Sequence, residues 1–352
     1  MLSYSAPTGN RCLRPHHILS IVDHSLRIIV NLASFHPSLS KRAVHTYEDL
    51  MSYPFGQAGQ AFILLNMFII AYGAMVAYLI IIKDTVPTIL GMPHGQQAGV
   101  EREVILIITS LLVVVPLSMQ RDMASLSFTS LISVIADIIL VGFIAGFSPI
   151  RESVSDAGGF GEVLSDNAIR PSLFIGLGVL STAMACQHSA FIVSGSLENR
   201  TQSRWKTVTV TSISLAAMLC AIMGVCGFLG FLDETQGDIL NNFGEGGIAA
   251  NGARALLAIT MFFTYPMESF VARHVLIQLL HNGDMDSINN ENGREGGGYL
   301  CLNRRQSWTL AIYIMALIPA LFLDNLGPVL SIVSAATLNG SVHHFYCCHC
   351  FF

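Results

Sequence analysis

Long apolar runs separated by short charged stretches fill most of the chain. Residues 61–82 contain no Asp, Glu, Lys or Arg and end at Lys83-Asp84. Comparable runs follow at 103–119, 126–147, 171–197, 207–231, 254–278, 307–323 and 326–346. A helix needs about 20 mostly apolar residues to cross the hydrocarbon layer, so the pattern predicts eight spans from residue 61 onward. Residues 18–35 are also apolar but carry Asp23, His24 and Arg27. They predict a partial or interfacial helix. The segments between runs read as connections: 36–60 is polar with a short helical stretch at 47–51, and 148–170 and 233–251 are Gly- and acid-rich loops.

Composition agrees with that pattern. Of 352 residues, 52% are hydrophobic and 12% charged, against about 25% charged in a soluble domain. The fold class expected is an all-α polytopic membrane protein. The net charge of -5 argues against a nucleic-acid partner and leaves the lipid bilayer as the evident one. Alternate connections hold most of the basic residues, among them Arg121, Arg200, Arg204, Lys206, Arg304 and Arg305. The positive-inside rule puts those connections in the cytoplasm, so 61–82 leaves the cytoplasm and 171–197 returns towards it.

No kinase loop, phosphate-binding Gly loop or nucleophile elbow occurs, so an enzyme is not expected. Cys347, Cys348 and Cys350 lie beside His343, His344 and His349, but the adjacent cysteines fit spaced zinc motifs poorly. No resident metal or cofactor is expected.

Polar groups inside spans are costly and tend to be functional. Transport sites use interrupted helices whose freed backbone groups meet the cargo. Two stretches could supply one. Within 176–196, Ser181, Thr182, Gln187 and His188 offer small donors and acceptors; a packed, hydrogen-bonded histidine is the commoner use of His188. Within 260–268, Thr260 and Thr264 share a helix face, and Pro266 frees a carbonyl on the preceding turn. Hydroxyls and free carbonyls are the oxygen ligands a sodium ion takes; threonine also bonds its own helix locally. Glu268 reads as a gate or as the partner of Arg273. Asp137, inside 126–147, reads equally as a packing and hydrogen-bonding residue or as an ion ligand.

The stretches QHSAFIVSGSLENRTQSRW, GFLGFLDETQGDIL, FFTYPMESFVARHVL and VVVPLSMQRDMASLSFTSLIS resemble the sodium-coupled neutral amino acid transporters (solute carrier family 38) of the amino acid/auxin permease superfamily. The likeness covers about residues 21–340, with its motifs in order. It implies an eleven-helix inverted-repeat (LeuT-like) fold that moves neutral amino acids such as glutamine with sodium as the co-transported ion. The mapping makes 61–82 the third helix, 171–197 the sixth, 254–278 the eighth and 326–346 the tenth. The substrate then sits between helices one and six, and Thr264 falls at the eighth-helix sodium threonine. On this mapping the fold is truncated at both ends: no first helix precedes residue 20, and the eleventh is absent. The division expected is a disordered 1–20, a partial transporter domain of eight or nine helices at 21–346, and a tail at 347–352. Such a partial chain is expected to transport poorly. The alternative reading is a non-transporting amino acid sensor or scaffold. Plasma membrane and endolysosomal membrane are both compatible locations.

Overall fold

A computed structural model describes residues 23, 26–28, 30, 46–92, 99–120, 127–167, 180, 183, 186, 189–199, 201–236, 238–243, 247–281, 304–323 and 326–337. The expected disordered segment 1–20, most of the expected span 171–197 and the expected tail 347–352 lie outside the described residues. Every regular element among the described residues is helical. Helix α1 spans Tyr47–Ile89 and is N-capped by Thr46, whose hydroxyl accepts from the Asp49 amide at 3.3 Å. It bends at Gly56, where φ is 62° and ψ -153°, a conformation open to glycine but not to a side-chain-bearing residue. The polar connection expected at 36–60 is therefore helical from Tyr47.

The expected end of the first span at Lys83 is also corrected. Lys83 is buried, and its ammonium donates to the carbonyls of Ala320, Leu321 and Leu323 at 3.0, 3.4 and 2.9 Å. Those carbonyls close another helix and lack intrahelical partners, so a cation there is stabilised and α1 continues to Ile89.

Helix α2 runs Gly99–Thr109, widens into a π turn over Ser110–Val114 and ends as Val115–Ser118. Pro116 cannot donate to the preceding turn, which favours the wide turn. Ser110 fills it, donating to the Leu106 carbonyl at 2.6 Å and pairing with the Tyr313 hydroxyl at 2.7 Å. Helix α3 is Ser127–Phe147. The loop expected at 148–170 contains two short helices, α4 at Ile150–Asp156 and α5 at Phe160–Asn167. Helix α6 is Ala190–Gly195, and α7 is Gln202–Phe231, N-capped by Thr201.

Two 3₁₀ turns, Leu232–Glu234 and Ile239–Asn242, precede α8 at Ile248–His281. Helix α9 is Arg304–Phe322 and α10 is Leu326–Thr337. Helix α8 thus starts six residues before the expected 254, because Arg254 is a buried interior residue rather than a boundary.

Helix α8 is the hub, packed between α1 and α3. Ala71, Met75 and Leu79 of α1, Tyr265 and Ala272 of α8, and Ile312 and Ala316 of α9 are fully buried together. Among the described residues, five helices are long and apolar enough to cross a membrane: Phe55–Ile89, Ser127–Phe147, Gln202–Glu234, Ile248–Leu280 and Arg305–Phe322. Helix α7 buries only 11% of its most apolar stretch and leaves Met218 and Val225 exposed. An apolar helix so exposed is solvated by lipid, not water. The chain is an all-α multi-pass membrane protein.

Candidate functional site

The polar groups that matter face each other across α3 and α8. On α8, Thr260 and Thr264 are four residues apart and share one face. On α3, Ser133 and Asp137 have the same spacing. The two pairs meet as rungs of a ladder. The Thr260 hydroxyl donates to Asp137 Oδ1 at 2.9 Å, and the Ser133 and Thr264 hydroxyls are 3.2 Å apart. Thr264 also donates to the Thr260 carbonyl at 2.7 Å, so the local bonding expected of a helical threonine occurs alongside the cross-helix one. Ser133 and Thr260 are buried, and Thr264 and Asp137 are half-buried.

Helix α8 runs unbroken through Pro266 instead of unwinding there. Pro266 still withholds the amide proton that would have met the Phe262 carbonyl, leaving an acceptor on the same turn as Thr264. Glu268 continues the Thr260–Thr264 stripe by one more turn. Tyr78 of α1 lies within electrostatic reach of both Glu268 and Asp137.

Arg273 is placed elsewhere. Its guanidinium donates to the Thr309 hydroxyl at 2.7 Å and to the Ser118 carbonyl at 3.5 Å, and it covers the Phe270 ring at 5.1 Å. Among the described residues Glu268 is not one of its partners. Arg305 adds a bond to the Met119 carbonyl at 3.4 Å. Two arginines therefore tie the end of α2 to α8 and α9, at the face that the basic-residue pattern assigns to the cytoplasm. Ser181, Thr182, Gln187 and His188 lie outside the described residues.

A cavity of about 760 Å³ opens at the opposite end of the bundle. Asp84, Gln236 and Asp238 contribute polar lining, and Leu140 and Leu257 line it from α3 and α8. Those two leucines lie three residues from Asp137 and Thr260, one helical turn away. The loop beside the cavity is pinned by Arg254. This residue is 2% exposed and donates to the Leu240 and Phe243 carbonyls at 3.1 and 2.9 Å and to the Asn251 side chain at 3.0 Å.

Sequence reasoning missed Ser133. Its signal was its position four residues before Asp137, the same spacing that singled out the two threonines.

Known proteins place the chain. It is 30% identical over 324 residues to vacuolar amino acid transporter 2 of Saccharomyces cerevisiae, covering 91% of this chain and 65% of that protein. It is 28% identical over 250 residues to the human putative sodium-coupled neutral amino acid transporter 11, covering 69% of this chain and 60% of that one. The rat protein of the same name is 29% identical over 293 residues, 82% of this chain and 60% of its own length. The chain therefore spans less than two thirds of the length of these curated relatives. No solved structure matches it. Residues 20–343 match the family described as transmembrane amino acid transporter protein, and the chain belongs to that family.

Proposed function

We propose that this chain forms the transport core of a secondary active transporter for neutral amino acids such as glutamine, driven by sodium. The observation that carries the coupling is the hydroxyl pair Thr260–Thr264 on α8, turned towards a carboxylate and a hydroxyl on α3. A hard monovalent cation takes oxygen ligands, and Pro266 adds to the two hydroxyls the Phe262 carbonyl that it leaves without an amide partner. The names of the relatives support the reading from two sides. One group is named for sodium-coupled neutral amino acid transport, and the yeast relative is called vacuolar. The corresponding locations for this chain are the plasma membrane or an endolysosomal membrane. No bond is made or broken in the proposed activity, so it calls for no enzymatic group.

Uptake of radiolabelled glutamine into proteoliposomes, with sodium or potassium outside, tests the proposal. Slow but saturable uptake that requires sodium is expected, and Thr264→Ala is expected to abolish the requirement. Uptake indifferent to sodium would remove the coupling. An unaltered sodium requirement in Thr264→Ala would shift the ligand assignment to Thr260.

A further inference from the structure

The α3–α8 ladder contains one carboxyl group, and no cationic side chain among the described residues pairs with it. Asp137 is the middle residue of α3, an apolar helix that crosses the membrane. Its one hydrogen-bond partner among the described residues is the Thr260 hydroxyl. Tyr78 and Cys220 lie within its electrostatic reach, and both are neutral groups. No Lys, Arg or His pairs with it among the described residues. The basic side chains of α8 are spent elsewhere: Arg254 on the Leu240 and Phe243 carbonyls, Arg273 on Ser118 and Thr309. Lys83 of α1 serves the end of α9. Helix α7 brings Cys220 and Cys226 to this side and no cation. An ionised carboxylate left unpaired in hydrocarbon is strongly unfavourable, so Asp137 is stable there either with a proton on it or with a mobile cation beside it, and the hydroxyls around it suit the cation.

We infer that Asp137 is the charged ligand of the transported cation, completing with Ser133, Thr260 and Thr264 a four-oxygen monovalent-cation site between α3 and α8. This deepens the sodium-coupled reading and rests on it. The two threonines alone offer neutral oxygens, which bind a cation weakly; the carboxylate supplies the neutralising charge. The approach is also present. The cavity lined by Asp84 and Asp238 is also lined by Leu140 and Leu257, one turn along their helices from Asp137 and Thr260. Both rungs are closed hydrogen bonds, at 2.9 and 3.2 Å, so a cation enters by replacing those bonds with its own oxygen contacts.

The test is direct cation binding by the purified full chain in lipid nanodiscs, read as thermal stabilisation by NaCl, LiCl or choline chloride at constant ionic strength. Wild type is expected to be stabilised by sodium and lithium and not by choline. Asp137→Asn is expected to weaken the apparent sodium affinity by more than about tenfold, since the one charged ligand of the proposed site is lost. Ser133→Ala is expected to weaken it less. Should Asp137→Asn fail to give a monodisperse protein, Asp137→Glu keeps the charge and is expected to alter the sodium-to-lithium preference. Undiminished sodium stabilisation in Asp137→Asn, with loss in Thr264→Ala, overturns the role of Asp137 while leaving sodium coupling in place. No sodium stabilisation in wild type removes both. A stabilisation that follows pH and ignores sodium assigns the carboxylate to a proton and overturns the metal site.

Discussion

Lys83 and Arg254 carry full charges inside apolar helices, and in both cases backbone carbonyls of another element absorb the charge. A charge solvated in this way does not end a helix, which is why α1 and α8 run past the boundaries that the charges suggest. The Lys83 partners are more than two hundred residues away in sequence, so no local pattern could have announced them. Asp137 and Thr260 are separated by 123 positions and pose the same difficulty. The sequence did show that each of them was an unusual residue in an apolar run. Gly73 is a different case, with a steric meaning. A Cβ at that position would overlap the Val333 side chain of α10. Gly73→Leu is therefore expected to destabilise the α1–α10 contact by about 1–3 kcal/mol, as overpacking does. Thermal unfolding in detergent should show a lower midpoint, and Gly73→Ala a smaller drop; an unchanged midpoint would mean that α10 does not pack there.

Among the elements, α8 has two jobs that its sequence keeps on separate faces. Tyr265, Ala272 and Val275 bury against α1 and α9, while Thr260 and Thr264 turn to α3. The apolar face sets the position of the helix, and the polar face then has fixed neighbours. The spans expected at 126–147 and 207–231 match α3 and α7 well, because long apolar runs leave little choice of structure. Helices α4 and α5 were illegible for the opposite reason. The Gly158-Gly159 pair and the acidic residues around it read as loop, yet Ser153 anchors α4 by donating to the Gly230 carbonyl of α7. The 3₁₀ turn Ile239–Asn242 is likewise held from outside, by Arg254. Arg254→Gln is expected to free that loop without unfolding the bundle. Amide exchange at residues 240–243 should accelerate by roughly tenfold, the loss of about one net charged hydrogen bond, while α1 and α8 amides keep their protection. Equal acceleration throughout the bundle would instead make Arg254 a general stability residue.

For the whole molecule, the organising fact is a helical bundle built on α8, in which the contact of α3 against α8 brings Ser133, Asp137, Thr260 and Thr264 together. The membrane class and the family were legible from charge depletion and motif order, and residues 20–343 match the family. The assembly of four oxygens was not legible, because it needs two helices brought together by packing that neither sequence stretch encodes alone. On the proposed function, a cation carried through that contact with a neutral amino acid would make transport electrogenic. The current evoked by adding glutamine to proteoliposomes of the full chain, adsorbed on a solid-supported membrane in sodium and then in potassium, reads that charge directly. An inward displacement of positive charge is expected in sodium, absent in potassium and absent in Thr264→Ala. Saturable glutamine uptake with no such current in sodium would contradict cation coupling at the α3–α8 contact.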